Sequence, residues 1–299
     1  MNYQVNRLVP NKNFLIEGLS YIGSPRSNTA MYVTKKVEAL LFALKDVNSC
    51  LVFAETGIQV SDEMLEKHAF VFSAHPQLEY ANFASQYAEG RFAEERALNN
   101  RLTSNGYYVT EDVTIPDDAY IETGCQIGPS VIIGKNARIL KGCVIKHTTI
   151  GDNFMANEYA VIGSNGFTMT DDENDNKIRI PTLGRVIIGD NVEIGTHDNI
   201  SCGSSGDTII EDNVKIDAFV HVGHDDHLCQ NAEIAAGTIL GGFAKIGKGT
   251  FIGINSTVRN RISIGERSFI SMASAVMKTV ENNVKVVGSP ARPLPTEKR

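Results

Sequence analysis

Aliphatic residues return at every sixth position along the C-terminal part of this chain. Ile210, Ile216, Val222, Leu228, Ile234, Leu240, Ile246, Ile252, Val258, Ile264, Ile270 and Val276 hold the interval without a miss. An earlier set, Ile115, Ile121, Ile127, Ile133 and Ile139, has the same spacing. It slips by one residue, resumes at Val144, Ile150, Ala156 and Ile162, and returns at Ile188, Ile194 and Ile200. Such a period is neither helical nor the simple alternation of a lone strand. It is the hexapeptide signature of a parallel β-helix, in which each unit gives a short strand with its aliphatic residue inward, then a turn. The Gly, Asn and Asp residues between suit those turns, where positive φ is cheap for Gly and tolerable for Asn.

Two interruptions break the register. Between Ile162 and Ile188, "GSNGFTMTDDENDNKIRIPTLGRVI" is too polar at its centre to line a core, and is expected to leave the coil as a loop. Between Ile200 and Ile210, "SCGSSGDTI" lengthens one unit by four residues. Loops ejected from a rigid scaffold are common places for binding groups.

The first hundred residues follow a different pattern. "VEALLFALKDV" and "LEYANFASQYAEGRF" have helical periodicity, while "SCLVFA" and "AFVFSA" read as short buried strands. A separate small α/β domain over residues 1–105 is expected, ending in the linker-like "ALNNRLTSNG". The coil then spans 106–280, with a tail over 281–299.

Composition narrows the function classes. The formal net charge of −7 argues against a nucleic-acid binder, which would show a basic face. No apolar run approaches a membrane span, and the start "MNYQVNRLVPNKNF" lacks a secretory pattern, so no membrane insertion is expected. Five scattered cysteines without a CxxC pair fit reduced thiols and a cytoplasmic protein.

The candidate chemistry concentrates in "HVGHDDH", His221 to His227, which holds three of the seven histidines. His221 and His227 precede inward residues on neighbouring faces of the coil. Six extended residues reach at most about 20 Å, whereas two ligands of one zinc lie within about 4 Å. The three histidines therefore cannot share one ion within a chain, and no metal is expected. A site shared between chains, as in a β-helical zinc hydratase, is the competing reading. His224 differs from its neighbours: it stands near a corner of the coil, next to Asp225, and Gly242 lies one turn further on. Glycine there is expected to leave open space beside the imidazole for a ligand chain. A histidine can take a proton from an amine or hydroxyl nucleophile near neutral pH, oriented by Asp225 or Asp226. His224 is the expected general base.

The run "IGSNGF…KIRIPTLGRVIIGDNVEIG…GDTIIEDNVKIDAFVHVGH" closely resembles UDP-3-O-acylglucosamine N-acyltransferases of the lipid A pathway. The N-terminal "LIEGLSYIGSPRSNTAMYVTKK" looks like the uridine-binding domain of that family. The resemblance implies a left-handed β-helix, a homotrimer and active sites between subunits. It makes His224 the base and Asp217 a substrate-contacting carboxylate. It also makes Ser164, Asn165, Gly166 and Phe167 part of the acceptor pocket, and Tyr32 a platform for the nucleobase.

Three departures stand beside it. Asp225 replaces the family's amide. Arg261 aligns with a second functional histidine, and can hold phosphate or polarise a carbonyl but cannot serve as an acid. The ending "VVGSPARPLPTEKR" lacks the family's C-terminal helix, and its "GSPAR" resembles the G-x-P-A-[RK] ending of hexapeptide acetyltransferases that use acetyl-CoA. That likeness makes Gly288 and Arg292 donor-binding residues, beside Gly242 with its expected space for a ligand chain. Two other motifs carry nothing: "GFAKIGKG" falls inside the hexapeptide register, and "DDENDN" lacks the placement of a calcium loop and reads as solvated.

The expected function is an N-acyltransferase acting on the amine of a nucleotide-linked amino sugar, with no permanently bound cofactor. The expected donor is acyl-CoA, acetyl-CoA in particular. The alternative is 3-hydroxyacyl carrier protein (acyl-ACP), with UDP-3-O-acylglucosamine as acceptor.

Overall fold

The computed structural model describes residues 3–293. It divides into two compact units: Met1–Ala97 with Phe167–Gly184 and Ser204–Gly206, and Leu98–Gly166 with Arg185–Gly203 and Asp207–Arg299. Residues 98–105 thus count with the coil.

The larger unit is a left-handed parallel β-helix of three sheets. The first face, of ten strands, includes His221–Val222; the second, of seven, includes His227–Leu228; the third, of ten, includes Glu233–Ile234. Successive coils pair in register, His221 with Ile239, His227 with Lys245 and Glu233 with Phe251. All twelve aliphatic residues of the unbroken set are at most 3% exposed. Fully burying each such side chain contributes about 1.5–3 kcal/mol, so the repeat itself supplies the core.

The one-residue slip lies one unit later than the sequence suggested. Ile145 points inward at 0% exposure while Val144 faces outward, and the short step runs from Ile145 to Ile150. Both residues are aliphatic, so spacing alone could not choose between them. The expected linker is also ordered: Asn100–Leu102 pairs antiparallel with Tyr108–Thr110 and ends the first face.

Most turns place one residue in the left-handed region, three positions after an inward residue. At the corner from second to third face this is Asn136, Asn153, Asn191, Asn213 and Asn231, whose amides include three stacked pairs. Asn tolerates that conformation better than most residues. At the corner from third to first face the position holds Tyr159, His197 and Phe219, with rings stacked at 5.3 and 5.4 Å. At the corner from first to second face it holds Asp225, Phe243 and Arg261, with φ near 60°.

In the smaller unit, Gly18–Leu19, Thr29–Val33, Leu51–Glu55 and Ala69–Ser73 form a parallel sheet in that order. Alternation sends Ala30, Leu51 and Phe53 to one side and Met31, Val33, Val52 and Ala54 to the other. The helix Pro76–Ala97 packs on the first side through Tyr80, Phe83, Ala84 and Tyr87. The segment Lys35–Asp46 supplies Leu41 and Leu44 to the second side, and is a 3₁₀ helix broken at Val37.

The stretch after Ile162 is not merely solvated. Met169–Asp171 and Lys177–Arg179 form a hairpin, and Ile178, Ile180 and Leu183 join the apolar cluster of the helix Pro76–Ala97. The Arg91 guanidinium donates to the Leu183 carbonyl at 2.8 Å. At the polar tip Asp172 accepts from the Asn174 and Asn176 backbones at 2.8 and 2.9 Å.

Candidate active site

The corner from first to second face gathers the irregular parts of the coil. The connection from Val161–Ser164 to Val186–Ile188 is the long excursion, and the next coil connects Asn199–Ser201 to Thr208–Ile210 through the four-residue insertion. The following coil turns through Gly223, His224, Asp225 and Asp226, the next through Gly241, Gly242, Phe243 and Ala244, and then Arg259, Asn260, Arg261 and Ile262. Ser164, Asn165, Gly166, His224, Asp225, Gly242 and Arg261 therefore share one edge.

His224 is held by Asp225, Phe243 and two glycines. Its Nδ1 lies 2.8 Å from Asp225 Oδ2, and both side chains are largely buried. The Asp225 backbone N–H donates to Thr208 Oγ1 at 2.9 Å. A carboxylate only accepts, so in a neutral imidazole the hydrogen sits on Nδ1 and Nε2 is the basic nitrogen, the tautomer a general base needs. The Phe243 ring meets the imidazole edge-on at 5.3 Å, and the Arg261 guanidinium lies 4.2 Å from the Phe243 ring centroid.

Two glycines let the backbone close around the imidazole. A Cβ on Gly166 would stand 2.7 Å from His224 Cβ, and one on Gly242 would stand 2.7 Å from His224 Nε2. The space beside Gly242, expected to be open for a ligand chain, is filled by the imidazole itself.

The two aspartates have separate tasks. Asp226 is fully buried, accepting from Gly223 N–H at 2.8 Å and Ala244 N–H at 2.7 Å, and so ties the His224 turn to the next. Burial holds its carboxyl well above the usual range, against the pull of those two N–H groups. Asp198 repeats the arrangement with Gly195 and Val220, both at 2.7 Å, and burial pushes it up to about 7. His221 stands on the first face, half-buried, and its pKa is lowered by burial and then by His224. His227 stands on the second face with Nε2 2.6 Å from Glu211 Oε1. The three histidines of HVGHDDH thus have three different settings.

The remaining candidates are spread out. Ser164 Oγ donates to Asn199 Oδ1 at 2.7 Å, Asn165 is exposed, and Phe167 is exposed with the Arg179 guanidinium 5.3 Å from its ring. Asp217 lies at a different corner, where it accepts from Ala218 and Ala236 N–H at 2.8 and 3.2 Å. Within one chain it is not brought to His224. Tyr32 packs against Tyr80 at 5.2 Å in the smaller unit. Gly288, at φ 97°, and Arg292 flank the last turn, where a cavity of about 700 Å³ is lined by Val276, Val284, Val286 and Pro290 among others. The end of the expected tail, 294–299, lies outside the described residues.

Phe243 and Thr208 were missed by sequence reasoning. A signal for Phe243 existed: it occupies the left-handed turn position, where the register favours Asn or Gly. Large side chains held there are strained and persist where the surroundings fix them, which is common at functional sites.

The GMPPB C-terminal domain family model matches residues 109–202. A UDP-3-O-acylglucosamine N-acyltransferase from Caulobacter sp. (strain K31) is 36% identical over 151 residues, covering 50% of this chain and 44% of that protein. Another of that name from Herminiimonas arsenicoxydans is 35% identical over 168 residues, covering 52% and 46%. This chain resembles UDP-3-O-acylglucosamine N-acyltransferases. It spans a little under half the length of these curated relatives. A crystal structure of a UDP-N-acetylglucosamine acyltransferase superposes with a TM-score of 0.52 at 24% identity, covering 62% of this chain and 72% of that one, which shows the shared fold. Among the described residues no helix is long and apolar enough to cross a membrane.

Proposed function

We propose that this chain is an N-acyltransferase that moves an acyl group from a thioester to the amine of a nucleotide-linked amino sugar. The observation that carries the reading is the His224 imidazole, fixed by Asp225 through Nδ1 and pressed between Gly166 and Gly242 at the corner where both insertions occur. His224 Nε2 accepts a proton as the sugar amine attacks the thioester carbonyl. The new C–N bond forms, the C–S bond breaks, and the proton passes to the departing thiolate. A backbone N–H of the turn, or Arg261, stabilises the oxyanion. Direct attack by a positioned amine draws most of its acceleration from orientation.

The sequence reading favoured acetyl-CoA. The names of the curated relatives favour the alternative acceptor, UDP-3-O-acylglucosamine, and in that reading the donor is 3-hydroxyacyl carrier protein. Asp217 reaches the site from a second subunit of a homotrimer, and Ser164 to Phe167 belong to the acceptor side. In the zinc hydratase reading the ion would be shared between chains, and metal analysis of the purified protein tests it. The test is product analysis by mass spectrometry with each donor in turn. Amide formation from the carrier-protein thioester is expected; formation with acetyl-CoA alone would return the donor to the first reading.

A further inference from the structure

Away from His224, a second group of side chains converges on the coil surface. Glu211, His227 and Cys229 bring one oxygen, one nitrogen and one sulfur donor within 4.8 Å of one another. The repeat sets them there. His227 and Cys229 are two residues apart around inward Leu228, so both face outward. Glu211 follows the strand Thr208–Ile210, whose Ile209 and Ile210 pair with His227 and Leu228 on the adjacent coil. The Glu211 carboxylate is also oriented: the Gln230 N–H donates to Oε2 at 2.8 Å, leaving Oε1 for His227 at 2.6 Å. Outer contacts of this kind fix ligands in metal centres. All three residues are half-buried, within reach of solvent but not fully washed by it.

We propose that Glu211, His227 and Cys229 together bind one divalent cation of the zinc class. The donor set decides the class. Magnesium and calcium take oxygen ligands, whereas mixed nitrogen, sulfur and carboxylate donors suit zinc. Three protein ligands leave the fourth tetrahedral position to water. Bonds of about 2.0–2.3 Å need donors somewhat over 3 Å apart, so the Glu211–His227 contact widens and Cys229 closes in. These are side-chain movements on a rigid coil. Lys245, the register neighbour of His227, opposes a second positive charge. The expectation of no metal rested on the three histidines of HVGHDDH, of which only His227 belongs to this group.

The test is cobalt(II) titration of the metal-free full-length protein, followed by the thiolate-to-cobalt absorption band. Among the described residues the other four cysteines are buried, so the band reports Cys229. One equivalent is expected, displaced by zinc. Cys229→Ser should abolish the band, and His227→Gln should weaken binding by at least the roughly 10–100-fold that losing an outer-shell partner costs. Lys245→Met should tighten it. No cobalt uptake by the wild-type protein, or a band that survives Cys229→Ser, would overturn the proposal.

Discussion

At the scale of residues, His224 and Asp225 form one unit. Converting His224 to Ala should leave the coil folded, since the imidazole lies outside the aliphatic column, and should cut turnover by about 10²–10⁴. Steady-state kinetics alongside thermal melting separate these effects; an equal loss of Tm and activity would point to a structural role. Asp198 gives a prediction in pH. Its folded carboxyl is raised to about 7 by burial, so between the ordinary value of 3.8 and about 7 the folded state holds a proton that the unfolded state has lost. Its contribution is complete below the lower value and disappears as pH rises through the upper one. Relative to wild type, Asp198→Asn should therefore gain Tm progressively from pH 4 to pH 7; a constant difference would refute the assignment. The His224–Asp225 pair was legible in the sequence because both residues sit in one turn of a fixed register. Phe243 and Thr208 were not, because their contacts with His224 and Asp225 depend on how coils stack, 19 and 17 residues away along the chain.

Elements were legible in proportion to their periodicity. The hexapeptide column gave the strands directly, since one aliphatic residue per unit must point inward. Where two aliphatic residues were adjacent, as at Val144 and Ile145, pattern could not tell inside from outside. The excursion 167–184 misled for another reason. Its polar tip hides flanks whose Ile178, Ile180 and Leu183 bury against the helix Pro76–Ala97, a partner more than eighty residues away. The glycine contacts make a prediction at this scale. Gly166→Ala and Gly242→Ala each force a Cβ against the His224 side chain. Both should lower kcat about tenfold or more, because small misplacements of a reacting group cost that much. The Tm should fall as well for Gly242→Ala, whose Cβ also stands 2.9 Å from the His224 carbonyl oxygen, so kcat is compared on protein that melting shows to be folded. Unchanged kcat in both variants would mean that the imidazole is not held for catalysis.

For the whole molecule, the fold is carried by the repeat, while the chemistry depends on what one corner adds to it. Asp217 and His224 occupy different corners of the same chain, so a site that uses both needs more than one copy. A mass of three chains of 32.6 kDa each is expected by light scattering. Mixing inactive Asp217→Asn and His224→Ala proteins, unfolded and refolded together, should restore part of the activity, because some mixed trimers then contain one intact site. The most direct test of the account is a mass-spectrometric assay of UDP-3-O-acylglucosamine with 3-hydroxyacyl carrier protein, run with wild type and His224→Ala. An N-acylated product is expected from wild type, and about 10²–10⁴ less from the variant. No product from any thioester, or equal product from both proteins, would contradict it.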